Sequence, residues 1–227
     1  MKRPIEEVPT VALVGEIFVR RDGLSRQYLT ERLAEKGFAT ACSPIAEWIL
    51  YTDFLVEKGL VDYTMSKMER LEFILRKRTM ARYKKRIKGI LSRSGFIHKD
   101  LLEIKSVINN AAPYISPKLA GEAILTVGSS LTEIASHACG VIAIGPFGCM
   151  PNRLSEALLN EAMNRDGKLA TQPKNGRLRS ALANIDDLPF LAIESDGSPF
   201  PQVIEAKLET FCLRAERLHS IMSEAGN

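Results

Sequence analysis

The sequence predicts an α/β protein built on about four parallel strands in the order 2-1-3-4, with helices on both faces. Three observations carry this. Short apolar runs alternate with segments whose apolar residues recur every three or four positions, so strands alternate with helices. Two of the runs, Gly140 to Gly145 and Leu188 to Glu194, are nearly continuous in apolar character, as strands covered on both faces are. Parallel strands joined through helices need right-handed crossovers over a face of the sheet, and this restricts the order in which they can lie.

Thr10 to Val14 is a β-branched, apolar run stopped by Gly15, and Ser25 to Lys36 follows as an amphipathic helix closed by Gly37. Phe38 to Cys42 gives the second strand. Ser43-Pro44 opens a helical run through Glu47, Trp48, Leu50 and Phe54, with proline suited to a first turn that needs no amide hydrogen. From Ser66 to Asn110 the pattern is helical and free of proline, with a break expected near Ser94-Gly95. This stretch, bounded at 64–112, reads as a basic helical insertion in a single domain spanning 1–227. Asn109 to Pro117 is rich in turn residues, and Ser116-Pro117 reads as the start of a helix through Leu119, Ala123, Ile124, Val127, Leu131 and Ile134. After the Gly140 strand, the loop Pro146 to Met150 leads to Pro151 and a helix through Leu154, Ala157, Leu158 and Met163. Lys168 to Asn184 is polar and reads as a surface excursion. Leu188 to Glu194 is the last strand, and Pro201 to about Met222 the terminal helix.

With 227 residues, 45% hydrophobic and 26% charged, the chain is long enough for a proper core and is neither a disordered chain nor a collagen. No apolar run reaches the roughly 18 residues of a membrane span. Met1-Lys2-Arg3-Pro4 leads into Glu6-Glu7 without the apolar core of a signal peptide, so a soluble, cytoplasmic protein is expected. The net charge of +4 conceals an uneven distribution: Thr64 to Lys99 holds twelve basic and two acidic residues, a local +10 that leaves −6 elsewhere. Arg76-Lys77-Arg78 and Lys84-Lys85-Arg86 form a solvated helical face or a contact for an acidic partner or the phosphates of CoA. Nucleic acid is disfavoured, because no aromatic platform accompanies the charge.

In an open parallel sheet ligands bind beyond the carboxyl ends of the strands. Four loops reach that rim: Gly15 to Arg21, Cys42 to Pro44, Gly145 to Pro151 and Glu194 to Pro201. They bring toward it Cys42 and Cys149, the carboxylates Glu16, Glu194 and Asp196, and the arginines Arg20, Arg21 and, two residues beyond its loop, Arg153. The four cysteines include no CxxC pair, and His98, His137 and His219 have no metal spacing. Cys139 and Cys149 lie at opposite ends of one strand, roughly 20 Å apart, too far to share a metal. Cys212, between Phe211 and Leu213 in the terminal helix, reads as a small buried hydrophobe.

Cys149 stands out. Gly148 permits a tight turn and Pro151 pre-sets a helix, which places the thiol at a helix N-terminus where an anion is favoured. That setting suits an iron-sulfur or other metal ligand; a loop cysteine packed against Phe147 is the alternative. Asp196-Gly197 is an ordinary turn pair or a carboxylate that orients a ligand, and Gly15-Glu16 has the same two readings. GxGxxG, GxxxxGK[ST] and GxSxG are all absent.

Three runs together are recognisable. Ala138 to Arg153 (ACGVIAIGPFGCMPNR), Phe190 to Gln202 (FLAIESDGSPFPQ) and Val14 to Arg20 (VGEIFVR) resemble the C-terminal region of the long activase-related proteins of CoA-substrate enzymes. That family is in turn similar to the cluster-binding subunits of 2-hydroxyacyl-CoA dehydratases, and the resemblance extends in order over nearly the whole chain. It implies a flavodoxin-like or Rossmann-like domain holding part of a [4Fe-4S] site, in a system where an ATP-dependent activator delivers a low-potential electron to a dehydratase acting on an acyl-CoA. Cys149 matches the position of a ligand cysteine in the dehydratase subunits. Those subunits also use a cysteine in the loop after an earlier strand; here that loop, Glu16 to Arg21, has none, and Cys42 one strand later is the candidate substitute. Glu16, Arg153, Glu194 and Asp196 would shape the cavity. The ATP-binding motifs of the long activases do not occur, so the chain is not an ATPase by itself, and the cluster would be shared with another domain or chain.

Overall fold

The structure, a computed structural model, describes residues 7–63, 65–94, 103–119 and 121–224. Strand β1 (Thr10–Gly15) is buried at every position because it lies between β2 (Ala39–Cys42) and β3 (Gly140–Pro146) and beneath helices on both faces. β4 (Phe190–Ser195) completes an all-parallel sheet in the order β2-β1-β3-β4, the predicted one. Leu13 is paired with Cys42 on one side and with Ile142 on the other, so the carboxyl ends of the strands form a common edge.

The chain leaves β1 toward β2 and leaves β3 in the opposite direction, toward β4, so right-handed crossovers place the connecting helices on opposite faces. One face carries α1 (Leu29–Glu35) and the terminal α9 (Gln202–Glu224), joined by ion pairs Arg32–Glu205 and Lys36–Glu209, the latter at 2.6 Å. The other carries α5 (Glu122–Glu133) and α6 (Met150–Ala162) side by side; the Ser155 hydroxyl of α6 donates to the Ala123 carbonyl of α5 at 3.5 Å. Both helices follow the rim with their N-termini, a direct consequence of running antiparallel to the strands.

Between β2 and α5 lie α2 (Ala46–Glu57), α3 (Lys67–Leu91) with a short 3-10 turn at Ser92–Ser94, and α4 (Ile104–Ala111). The expected insertion is therefore of two kinds. α3 begins with a capping box between Ser66 and Glu69 and has no buried residue; it is tied to α2 by Arg76–Asp53 at 2.6 Å and Lys77–Glu57 at 2.5 Å. α4 contributes Val107, Ile108 and Ala111 to the core and packs on α5. Thr64, the Ser94-Gly95 break beyond Ser94, and His98 fall outside the described residues.

Three boundaries differ from the sequence reading, each for a local reason. The first helix starts at Leu29, not Ser25, because Asp22 accepts from the Ser25 amide and Gln27 and Tyr28 hold positive φ of 52° and 51°, which winds Asp22 to Tyr28 into turns. Ser116-Pro117 makes only a turn, and α5 begins after Gly121. The polar stretch Lys168 to Asn184 contains the end of one short helix, α7 (Arg165–Thr171), and all of another, α8 (Gly176–Ala181), whose N-caps are the side chains of Asn164 and Asn175. Among the described residues no helix is long and apolar enough to cross a membrane.

Gly15 ends β1 with φ +104°, and a methyl group there would fall 2.1 Å from the Ile144 carbonyl oxygen of β3. Gly15→Ala must therefore push β1 off β3 and strain the backbone, at an expected cost of about 3 kcal/mol. Urea unfolding checks this; a loss below about 1 kcal/mol would show that the junction yields.

Candidate functional site

The strand order reverses between β1 and β3, and the crevice at their carboxyl ends is the natural ligand position of such a sheet. Its floor is Gly15, Ile144 and Gly145; the Glu16 amide donates to the Ile144 carbonyl at 2.9 Å, joining the loop after β1 to β3.

The predicted side chains separate into groups. Glu16 is spent on its own loop: its carboxylate accepts from the Phe18 amide at 3.0 Å and the Val19 amide at 2.7 Å. Arg20 turns inward and is 2% exposed, donating to the Gly15 carbonyl and to Glu47, both at 2.7 Å. Arg21 stays exposed and donates to the Ser43 carbonyl at 2.8 Å, linking the loops after β1 and β2. Arg153 of α6 meets Glu194 of β4 at 2.5 Å, which fixes the first turn of α6 to the last strand. Asp196 is exposed, and its carboxyl is held below the usual range by the Ser198 amide, which donates at 2.9 Å; the ordinary-turn reading fits this geometry. Cys42 is half-buried at the end of β2. Its sulfur lies 3.6 Å from the Arg20 carbonyl, and burial pushes the thiol up in spite of Arg21 and Arg20 nearby.

Cys149 is the N-cap of α6, in extended conformation, and its side chain makes no capping bond. Its carbonyl accepts from the Arg153 amide at 3.0 Å, which holds the backbone of this half-buried residue. Phe147 and Met150, on either side, are among the most exposed large apolar residues, at 73% and 77%. Cys149 thus stands, half-buried, between two exposed apolar neighbours in the chain.

Three residues of the crevice went unrecognised in the sequence. Glu47, 1% exposed, pairs with Arg20 and accepts from Ser129 at 3.3 Å; burial pushes its carboxyl up, and Arg20 opposes this. Glu122, the first residue of α5, has a buried Oε1 without a partner. Burial and the nearby Glu16 push its carboxyl up to about 7, against Arg20 and the Ile17 amide. Asn152, the third residue of α6, is 5% exposed and lies against Gly145, where a methyl group would fall 2.6 Å from its Cγ; neither end of its carboxamide has a partner. The helical spacing of Asn152, Ser155, Leu159 and Ala162 puts the asparagine on the buried face of α6, a signal present in the sequence.

Among the described residues no three His, Cys, Asp or Glu side chains converge to hold a metal. Cys139 is buried with its sulfur 3.2 Å from the Thr10 carbonyl, and burial pushes the thiol up to about 12. Cys212 is buried in α9, which also raises its thiol, and His137 pairs with Glu133 at 3.3 Å. The rim therefore offers two half-buried cysteines, Cys149 and Cys42, the second with its sulfur against the Arg20 carbonyl of the loop after β1. These donors fit one corner of a cluster that is completed elsewhere and do not fit a self-contained cluster. The same geometry predicts the order of thiol labelling by iodoacetamide under native conditions: Cys149 first, Cys139 only after unfolding. Equal labelling of the two would contradict it. No protein-family model, curated protein or solved structure matches this chain.

Proposed function

We propose that this chain is a component of a 2-hydroxyacyl-CoA dehydratase or activase-type system, lending the Cys149 thiolate to a [4Fe-4S] cluster completed by another domain or subunit. The observation that carries the reading is the placement of the half-buried Cys149 at the N-terminus of a 13-residue helix, flanked in the chain by exposed Phe147 and Met150. The resemblance of the loops supplies the family; the rim geometry supports the role.

The dipole and unpaired amides of the first turn of α6 would favour the negative charge of a cluster held there. Phe147 and Met150 present an apolar collar that a docking partner would cover, keeping water from the sulfur. The Arg153–Glu194 pair holds that turn in place, and Cys42 becomes a second donor only by giving up its contact with the Arg20 carbonyl. A [4Fe-4S] cluster bound there would supply one low-potential electron to the partner's acyl-CoA chemistry. A reducing cytoplasm, where thiols stay free, suits such a system.

Protein reconstituted without oxygen with iron, sulfide and a small thiol is expected to develop a sulfur-to-iron charge-transfer absorption. Cys149→Ser should reduce it strongly and Cys212→Ser should not. Identical spectra from the three proteins would overturn the assignment.

One observation favours a second reading, an interaction module without a cluster. None of the 25 residues of α3 is buried, and Arg78, Arg82, Lys85 and Arg86 follow one another at helical spacing, all exposed. Such a face suits an acidic protein partner. Charge reversal at Arg82 and Lys85 that abolishes partner capture, in protein shown to bind no iron, would favour this reading.

A further inference from the structure

We propose that Ser136 and Lys168 form a nucleophile–base pair that hydrolyses small carboxylic esters, in a cleft at the amino-terminal edge of the sheet. This goes beyond the cluster reading and does not depend on it, since Cys149 stands at the opposite edge.

The cleft, about 450 Å³ in volume, opens between the end of α5, the turn that leads to β3, the α7–α8 segment and Met222 of α9. Ser136 is an exposed residue of its wall. The turn that presents it has an unusual shape. Ala135, 5% exposed, holds a φ of 52°, which costs a residue with a Cβ about 1 kcal/mol. Its amide donates to the Ala138 carbonyl at 2.8 Å, and the Ser136 and His137 amides both donate to the Glu133 carbonyl, at 3.1 and 3.0 Å. Backbone strain of this kind gathers at functional sites.

Lys168 Nζ lies 2.8 Å from Ser136 Oγ, and its other two neighbours are the Leu131 and Thr132 carbonyls at 2.9 and 3.1 Å. A protonated amine donates to all three. A neutral amine keeps two N–H donors for the carbonyls, which only accept, and turns its lone pair on Ser136, the one partner with a proton to give. That is the relation of a nucleophilic serine to its base. Burial lowers the amine to about 8, with Glu133 of α5 opposing, so the neutral form becomes abundant just above neutral pH. Glu133 is itself paired with His137 at 3.3 Å; Arg177 lines the cleft from α8, and Tyr114 lies beside Gly167. Gln172 completes the group. Its Nε2 donates to Ser136 Oγ at 2.9 Å and its Oε1 accepts from Asn175 at 2.8 Å, which fixes the amide with a second N–H left for the oxygen of a bound carbonyl.

Ser136 Oγ attacks the ester carbonyl carbon while its proton passes to Lys168 Nζ. The bond to the leaving oxygen then breaks, and that oxygen takes the proton from Nζ. Water repeats the sequence on the acyl-serine, which releases the acid and restores both residues. Ala135, Leu178, Ala181 and Met222 line the cleft with apolar surface suited to a short acyl chain.

The full chain is assayed with p-nitrophenyl acetate and labelled with a fluorophosphonate, which reports nucleophilic serines. After subtraction of the Ser136→Ala rate, nitrophenol release is expected to rise with pH through about 8 and then level off, and the label to attach to Ser136. Ser136→Ala should lower release at least about hundredfold and abolish the label. Gln172→Ala should lower kcat about hundredfold with little change in KM. Lys168→Met, where circular dichroism shows it folded, should lose both the label and the pH step; Ser136→Ala, a change at an exposed position, decides the matter whether or not that variant folds. The assay needs neither iron nor sulfide, so failure here and failure of the cluster assignment are separable. Release that Ser136→Ala leaves unchanged, label confined to other residues, a rate that stays flat through about pH 8, or an unchanged kcat in Gln172→Ala would overturn the proposal.

Discussion

Glu47→Ala is expected to destabilise the protein by about 3–5 kcal/mol, the largest loss among the single changes considered, because it strands a charge in the interior. Arg20 is 2% exposed and has two acceptors, Glu47 and the Gly15 carbonyl; removal of Glu47 leaves the guanidinium with a single neutral partner and only the partly ionised Glu122 nearby. Ser129 loses its acceptor at the same time. The pair joins the loop after β1 to α2, so the loss also loosens the rim. The double variant Arg20→Leu with Glu47→Leu should recover most of the stability, since an ion pair replaced by apolar groups forfeits little. Urea denaturation of the three proteins tests this. A cost below about 1 kcal/mol for Glu47→Ala would mean that Arg20 reaches water.

The second large effect is expected at Lys168. Its side chain is fully buried, and Nζ donates to the carbonyls of Leu131 at 2.9 Å and Thr132 at 3.1 Å and to the Ser136 hydroxyl at 2.8 Å, closing the C-terminus of α5. Lys168→Ala removes this cap, takes the amine away from the Leu131 and Thr132 carbonyls and opens a cavity, at an expected cost of about 3–4 kcal/mol. Burial also lowers the amine to about 8, with Glu133 opposing, against 10.5 in the unfolded chain. Between those values the unfolded chain binds more protons, so stability rises with pH across that window, by up to about 3 kcal/mol, and the buried ammonium is least favourable below pH 8. Lys168→Met should abolish that rise. An unchanged pH profile in Lys168→Met would contradict the assignment.

The strand order was legible because the burial of β1 and β3 on both faces leaves a direct mark in composition, TVALV and GVIAIG, and because right-handed crossovers leave few ways to connect such strands. The rim loops were legible for the same reason, since topology delivers Glu16, Cys149, Glu194 and Asp196 to one edge whatever their side chains do. What those side chains do was not. Arg20 reads as a solvated rim arginine, yet its partner Glu47 lies 27 positions away in α2, a contact that only the packed structure specifies. Lys168 sits in a polar stretch and reads as surface; it is buried because the end of α5 presents it with three acceptors. Asn152 was hidden by its neighbours, Pro151 and Arg153, which look like an exposed first turn, although the spacing to Ser155 and Leu159 marks it as inward. The start of α1 was missed because left-handed backbone at Gln27 and Tyr28, residues without a strong preference for it, depends on the loop that carries them.

Iron and acid-labile sulfide, assayed in protein purified without oxygen, decide whether Cys149 holds a cluster. Both elements are expected, in equal amounts, in the wild-type protein together with whatever chain completes the site, and their loss is expected in Cys149→Ser with the fold intact by circular dichroism. Wild-type protein free of iron, or a Cys149→Ser protein that retains its iron and sulfide, would contradict it.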